Sequence, residues 1–384
     1  MNNGMDFIFK LLQSELFQTP MEGREIAHEE YEQLMVVADE QTVSGLVAAS
    51  LMRNEFKLGK YDAIDLYTRR KSVAESNDLI NEQIGGFSGF LTQKGLEFVI
   101  VKGQMMAALY PDVHSRMTGD VDLYFPGDNF QRVKHLVGSM LGKELEKYSD
   151  GKHVEFVNNG TVFELHDVLS RFASAKHQRY WNALVDKDIK NGVAYTNVGG
   201  YKVPTLSPTL NVLFIFVHLF YHMTASGVGL RQFCDLAVLL HVCHRNGEKE
   251  SMKYKDGLRI DATRLKTMLE ELGYFKAFKA IGAFMVEKLG LPAEEFPYEL
   301  SAKDLKWVPV IEKNVQRRGN FGRANRSVND NGLLHSVETG WMSIEQAWVF
   351  FRLAPKEVFG RFSKLFSWFF KRFTIKESSI GVKE

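Results

Sequence analysis

The sequence predicts an α+β protein, a small mixed β-sheet core flanked by N- and C-terminal helical regions. Three observations lead there. Apolar residues recur at three- and four-residue spacing before residue 95 and again after residue 176, the period of amphipathic helices. Between them, residues 96–170 hold short apolar or alternating runs in the order β-α-β-α-β-β. Within that stretch Asn158-Asn159-Gly160 separates two alternating segments, a hairpin signal.

Taken in order, FIFKLLQSELF, YEQLMVVA and GLVAASLM read as helices, followed by a long polar helix from Asp62 to near Lys94. LEFVIVKG is a buried strand ending in a Lys-Gly turn, and QMMAALY a short helix stopped by Pro111. GDVDLYF is a second strand closed by Pro126-Gly127. DNFQRVKHLVGSML is a helix with Asp128 or Asn129 as cap. HVEFVNN and TVFELHD form the hairpin. Residues 197–208 (NVGGYKVPTLSP) read as a connector with room for a short strand. TLNVLFIFVHLFYHM, LRQFCDLAVLLHVCH and 262–289 are helices, and the polar, basic stretch 314–334 is a loop or mobile segment. The expected division is an N-terminal helical region 1–95, a core 96–175, a helical domain 176–345, and a basic amphipathic helix and tail 346–384.

Composition narrows the function classes. The 384 residues are 45% hydrophobic and 25% charged, ordinary for a globular chain. A net charge of +1 argues against a long nucleic acid as partner. Cys234 and Cys243, nine apart on one helix, point in different directions and suit buried thiols in a reducing compartment. The N-terminus lacks a basic region, a sustained apolar run and a small-residue cleavage site, and the run 212–223 is too short to span a bilayer. The expectation is a cytoplasmic protein. Residues 352–376 carry seven Lys/Arg, one Glu and a Phe stripe (359, 362, 366, 369, 373). Docking on the helical domain is favoured for this segment over a partner helix or peripheral contact with the anionic inner membrane surface.

The chemistry sits in RMTGDVDLYF. Residues i and i+2 of a strand share a face, so Asp120 and Asp122 point one way, and so do Glu164 and His166. If the two strands are close, three carboxylates converge, which is the hard oxygen set that Mg²⁺ (or Mn²⁺) takes together with phosphate oxygens. An Asp-x-Asp alone is weak, since two acids at a strand end could simply pair with Arg116 or a lysine. The setting is more specific: Lys102-Gly103, a helix, Gly-Asp-x-Asp-Leu, then a later strand with an acid.

VKGQMMAALYPDVHSRMTGDVDLYF resembles the core of the uncharacterised bacterial nucleotidyltransferase-like proteins of the polymerase-β-type superfamily. FELHDVLS resembles their later Glu-Leu-His strand, and LRQFCDLAVLL their Leu-Arg-x-x-x-Asp-Leu helix. The resemblance covers 96–170 firmly and 205–245 loosely. It implies that Asp120, Asp122 and Glu164 bind metal, with Glu164 drawing the acceptor's proton. It implies a nucleoside triphosphate (NTP) as substrate, with Lys102 and Gly103 at the triphosphate turn. That turn departs from the wider superfamily, which carries Gly-Ser there. Arg116 and His166 are further phosphate-side candidates, each with a plain structural alternative. Arg231 and Asp235 form either an ordinary i, i+4 pair or a helical wall of the nucleotide site. His218 and His222 share a helix face, but the glutamate of a zinc-protease motif is absent. They read as packing histidines. Arg317, Arg318, Arg323 and Arg326 read as a solvated loop.

The expected function is metal-dependent transfer of a nucleoside monophosphate to an unidentified hydroxyl acceptor. The rivals are a sugar transferase using Asp-x-Asp and a non-catalytic relative that binds a nucleotide or a protein. A His-Asp phosphohydrolase built on His153, His166-Asp167 and Asp235 fits poorly, because its His-Asp ends a strand rather than a helix.

Overall fold

The computed structural model describes residues 2–146, 153–225, 227–245, 252–253, 259–320 and 344–359. Four helices open the chain: α1 (Asn2–Phe17), α2 (His28–Glu40), α3 (Ser44–Arg53) and the long α4 (Lys60–Gln93). The core follows as β1 (Val99–Val101), α5 (Gly103–Ala107), β2 (Val121–Tyr124), α6 (Asn129–Leu141), β3 (His153–Asn158) and β4 (Thr161–His166). Then come α7 (Ala175–Lys190), β5 (Ala194–Val198), β6 (Tyr201–Thr205), α8 (Pro208–Ala225), α9 (Leu230–His244) and β7 (Met252–Lys253). Helices α10 (Ala262–Glu271), α11 (Phe275–Leu289), α12 (Ala302–Leu305) and α13 (Val308–Arg318) complete the labelled elements.

The core sheet has strand order β1-β2-β4-β3, with β2 and β4 parallel and the other two pairs antiparallel. It is the small mixed sheet the sequence predicts. Its two faces differ because side chains alternate along each strand. One face (Ile100, Val121, Leu123, Phe163, Leu165, Val154) packs against Ile80, Ile84 and Leu91 of α4 and Phe130, Val133 and Val137 of α6. Burying each such side chain fully is worth about 1.5–3 kcal/mol. The other face looks toward the helical bundle, and there the register sets Asp122 beside Glu164 and His166 beside His153.

Four expectations change. Residues 197–208 are not a connector: β5 and β6 form a hairpin through Gly199 (φ +57°) and Gly200 (φ +92°), part of a second sheet of order β6-β5-β7. Pro204 is tolerated because β6 is an edge strand. The stretch 262–289 breaks at Gly273 (φ +73°) into α10 and α11. The helix after the Lys-Gly turn ends at Ala107 rather than Tyr110. Residues 314–318 are the last turns of α13, and Arg317 and Arg318 both pair with Glu345 instead of lying in a solvated loop. Arg323 and Arg326 fall outside the described residues.

Helix α8 is, among the described residues, long and apolar enough to cross a membrane, yet 78% of it is buried inside the molecule. Cys234 and Cys243 are buried and unbridged, and burial pushes both thiols up, Cys243 to about 12. Residues 344–350 and 355–359 are helical and dock: Phe350, Leu353 and Ala354 join the main core, and Val358 is buried. Glu357 accepts from the Ala173 amide at 2.8 Å and meets His177 Nδ1 at 2.5 Å. The rest of the basic Phe stripe, from residue 360 on, lies outside the described residues.

Candidate active site

The site begins at a bend in the backbone. Strand β1 runs into Lys102 (φ +56°) and Gly103 (φ +42°), two successive residues with positive φ that turn the chain sharply. A Cβ on Gly103 would stand 3.1 Å from the Asp120 carbonyl oxygen, so the turn lies tight against the Asp-x-Asp segment. The bend carries Lys102 Nζ to 2.7 Å from Asp122 Oδ1.

Strand β2 starts at Val121, with Asp120 just before it. Asp120, Asp122 and Glu164 each offer a carboxylate oxygen, and the three atoms lie within 4.8 Å of one another, a group that could hold a metal ion. His166 Nε2 sits between two of these acids, 2.9 Å from Asp122 Oδ1 and 3.1 Å from Glu164 Oε2. His153 Nε2 is 2.9 Å from Glu155 Oε1 and 3.9 Å from Glu164 Oε1.

The electrostatics follow from crowding. Repulsion from Asp122 is the main reason the Asp120 carboxyl is pushed up to about 6, with burial adding to it and Lys102 opposing. Burial acts on Asp122 in the same sense, but Lys102 and His166 overcome it and hold that carboxyl well below the usual range. Burial lowers Lys102, but the attraction of Asp122, Asp120 and Glu164 outweighs it and raises the ammonium above its usual range, so it stays charged. His166 is raised for the same reason: its bonds to Asp122 and Glu164 outweigh its burial.

These groups form one wall of a cleft of about 500 Å³. Helices α8 and α9 form the other, with His218, Tyr221, His222, Arg231 and Gln232. Thus His218 and His222 face the cleft as well as packing. Arg231 does not pair with Asp235. Its Nη1 donates to the Met117 and Thr118 carbonyls at 3.2 Å each. Its Nε is buried without a hydrogen-bond partner among the described residues. Burial, then repulsion from Arg116, pulls its pKa down.

Arg116 is the main revision. It touches neither the acidic cluster nor the surface. Its Nε and Nη2 grip Asp235 at 2.7 and 2.9 Å, its Nη1 donates to the Met117 carbonyl, and the Tyr110 hydroxyl donates to Asp235 at 2.7 Å. A guanidinium so fully used holds the loop before Asp120 against α9 and leaves little to offer a phosphate. The His-Asp phosphohydrolase pattern dissolves at the same point, since Asp235 is committed to Arg116 and Tyr110. Among the described residues no large parallel sheet precedes the acids, which removes the basis for the Asp-x-Asp sugar transferase.

The structure therefore brings together Asp120, Asp122, Glu164, His166, Lys102, Gly103 and Arg231, with Arg116 behind them. Sequence reasoning missed His153 and Tyr110 as parts of the site. The signal for His153 was present: a tight turn at 158–160 pairs it with His166 across the hairpin.

Residues 27–254 match the family described as uncharacterised nucleotidyltransferase. No curated protein matches the chain. Among solved structures, an antigenic nucleotidyltransferase-like protein from Paracoccidioides brasiliensis is similar at 14% identity and a TM-score of 0.33. The match covers 58% of this chain and 94% of that one, a likeness too distant to carry weight. With more than half of its length inside the family match, the chain belongs to the uncharacterised nucleotidyltransferase family.

Proposed function

We propose that the protein transfers a nucleoside monophosphate from an NTP to a hydroxyl acceptor in a reaction that depends on Mg²⁺ or Mn²⁺. The observation that carries this is the convergence of Asp120, Asp122 and Glu164 within 4.8 Å on one wall of a cleft whose opposite wall offers Arg231. The donor set fits a divalent ion: the oxygens are hard, and Asp122 is held ionised in a side chain only 1% exposed. When bound, such an ion neutralises charge on the phosphates and on the attacking and leaving oxygens.

The chain's own groups have distinct tasks. Glu164, the acid contributed by the neighbouring strand β4, orients the acceptor hydroxyl and takes its proton. Lys102 has only to swing from Asp122 toward a β- or γ-phosphate oxygen. The Gly103 turn lets backbone approach the triphosphate closely. Arg231, with no acidic partner among the described residues, faces the phosphates from α9. His166 bridges Asp122 and Glu164 and keeps both carboxylates aimed at the cleft. Arg116, through Asp235, positions the loop 117–119.

The test is transfer of label from an α-labelled NTP to acceptors in a cell extract, by wild type and by Glu164→Gln. Transfer by wild type, reduced about 100-fold or more in the variant, supports the assignment. Metal-dependent binding of NTP with no transfer in any extract would favour the non-catalytic relative instead.

A further inference from the structure

We infer that the sheet wall holds a second, nitrogen-containing metal position formed by His153, Glu164 and His166, selective for a first-row transition ion over Mg²⁺. The inference rests on the metal-dependent reading of the same cleft and adds an ion of a different class. The three donors come from two paired strands: His153 stands opposite His166, and Glu155 opposite Glu164, all on the face turned to the cleft. Their ligand atoms fall within 4.8 Å of one another. Donors about 2.1 Å from one ion lie roughly 3–4.2 Å apart. His166 Nε2 to Glu164 Oε2 at 3.1 Å and His153 Nε2 to Glu164 Oε1 at 3.9 Å are in that range, one histidine to each carboxylate oxygen, so the ion takes Glu164 through both. Without an ion the shorter of these is a hydrogen bond, and with one both become edges of a coordination shell.

Charge gives an independent reason. Asp120, Asp122, Glu155 and Glu164 crowd this face, and Lys102 is the ammonium among them. Arg116 brings little relief, because its main partner is Asp235 and its pull on Asp120 is the smaller one. A single divalent ion on Asp120 and Asp122 would leave Glu155 paired with the His153 imidazole, and Glu164 with the His153 and His166 imidazoles and the longer-range attraction of Lys102. Two imidazoles and a carboxylate favour Mn²⁺, Fe²⁺, Co²⁺ or Zn²⁺, whereas Mg²⁺ prefers an all-oxygen shell. Glu164 is shared by both positions, which places them side by side, and Glu155, 2.9 Å from the same His153 Nε2, releases that nitrogen when the ion binds.

The experiment is Mn²⁺ binding to the full chain, followed by loss of the free-ion signal in electron paramagnetic resonance and by pulsed measurement of ¹⁴N couplings. Wild type is expected to bind Mn²⁺ at least about tenfold more tightly than Mg²⁺ and to show imidazole nitrogen couplings. His153→Gln is expected to keep one imidazole coupling and lose about tenfold or more in Mn²⁺ affinity. Mn²⁺ held without nitrogen couplings in wild type, or no Mn²⁺ bound, overturns the inference without reliance on a variant. So does a folded His153→Gln with unchanged couplings. Mg²⁺-dependent NTP binding, measured on the same wild-type samples, separates the two readings. If it persists without nitrogen couplings, only the second position fails. If it too is absent, the reading of the whole cleft fails.

Discussion

The two walls of the cleft handle charge in opposite ways. On the helical wall Arg116, Asp235 and Tyr110 close on themselves: both carboxylate oxygens of Asp235 are taken, and the group is buried. On the sheet wall the acids outnumber their cations, and Asp120 stands so near Asp122 that its proton is held up to about pH 6. A saturated charge network fixes shape, because removing either ion leaves its buried partner charge alone. An unsaturated one stores electrostatic potential that a ligand can discharge. The same residue types therefore serve architecture on one side and chemistry on the other, and the partner of each decides which.

Breaking the saturated wall should have the largest effect on folding. Asp235→Ala strands Arg116 and is expected to cost about 3–5 kcal/mol in chemical denaturation. A loss under about 1 kcal/mol would mean the pairing is not the strut described here. On the unsaturated wall the order reverses. Asp122→Asn should reduce nucleotidyl transfer by about a thousandfold or more while the protein remains folded by circular dichroism. Arg231→Met should weaken NTP binding by roughly 1.5–3 kcal/mol, read by calorimetry, with stability changed by less than about 1 kcal/mol. A large stability loss there would place Arg231 with the strut instead.

Glu15, outside both walls, is the smallest case and a control on the argument. Burial pushes its carboxyl from 4.5 up to about 7, against the pull of Arg53. The folded chain thus holds this proton more tightly than the unfolded one, so stability should fall as pH rises from 4.5 to about 7. Glu15→Gln should flatten that fall by on the order of 1 kcal/mol in pH-dependent urea melts.

Much of the core was legible because its signals are local. Period-two alternation placed Asp120 with Asp122 and Glu164 with His166, and the Asn-Gly turn marked the β3–β4 hairpin. What local signals cannot carry is which strands become neighbours. That β2 lies parallel to β4, with Asp122 beside Glu164, is a long-range pairing that the fold supplies; the family resemblance implied only that the three acids share a metal. The stretch 197–208 was read as a connector with room for one short strand, although Gly199-Gly200 announces the turn of a second hairpin. Arg116 was misplaced because its pairing, too, is long-range. Its partner Asp235 is more than a hundred residues away, and helical spacing pointed instead to Arg231 four residues from it.

The most direct test of the sheet wall as a metal-nucleotide site is calorimetric titration of each NTP with Mg²⁺, into wild type and into Asp120→Asn/Asp122→Asn. Binding by wild type that requires the metal and disappears in the double variant is the predicted result. Wild type that binds no nucleotide, or a double variant that binds with unchanged metal dependence, would contradict it.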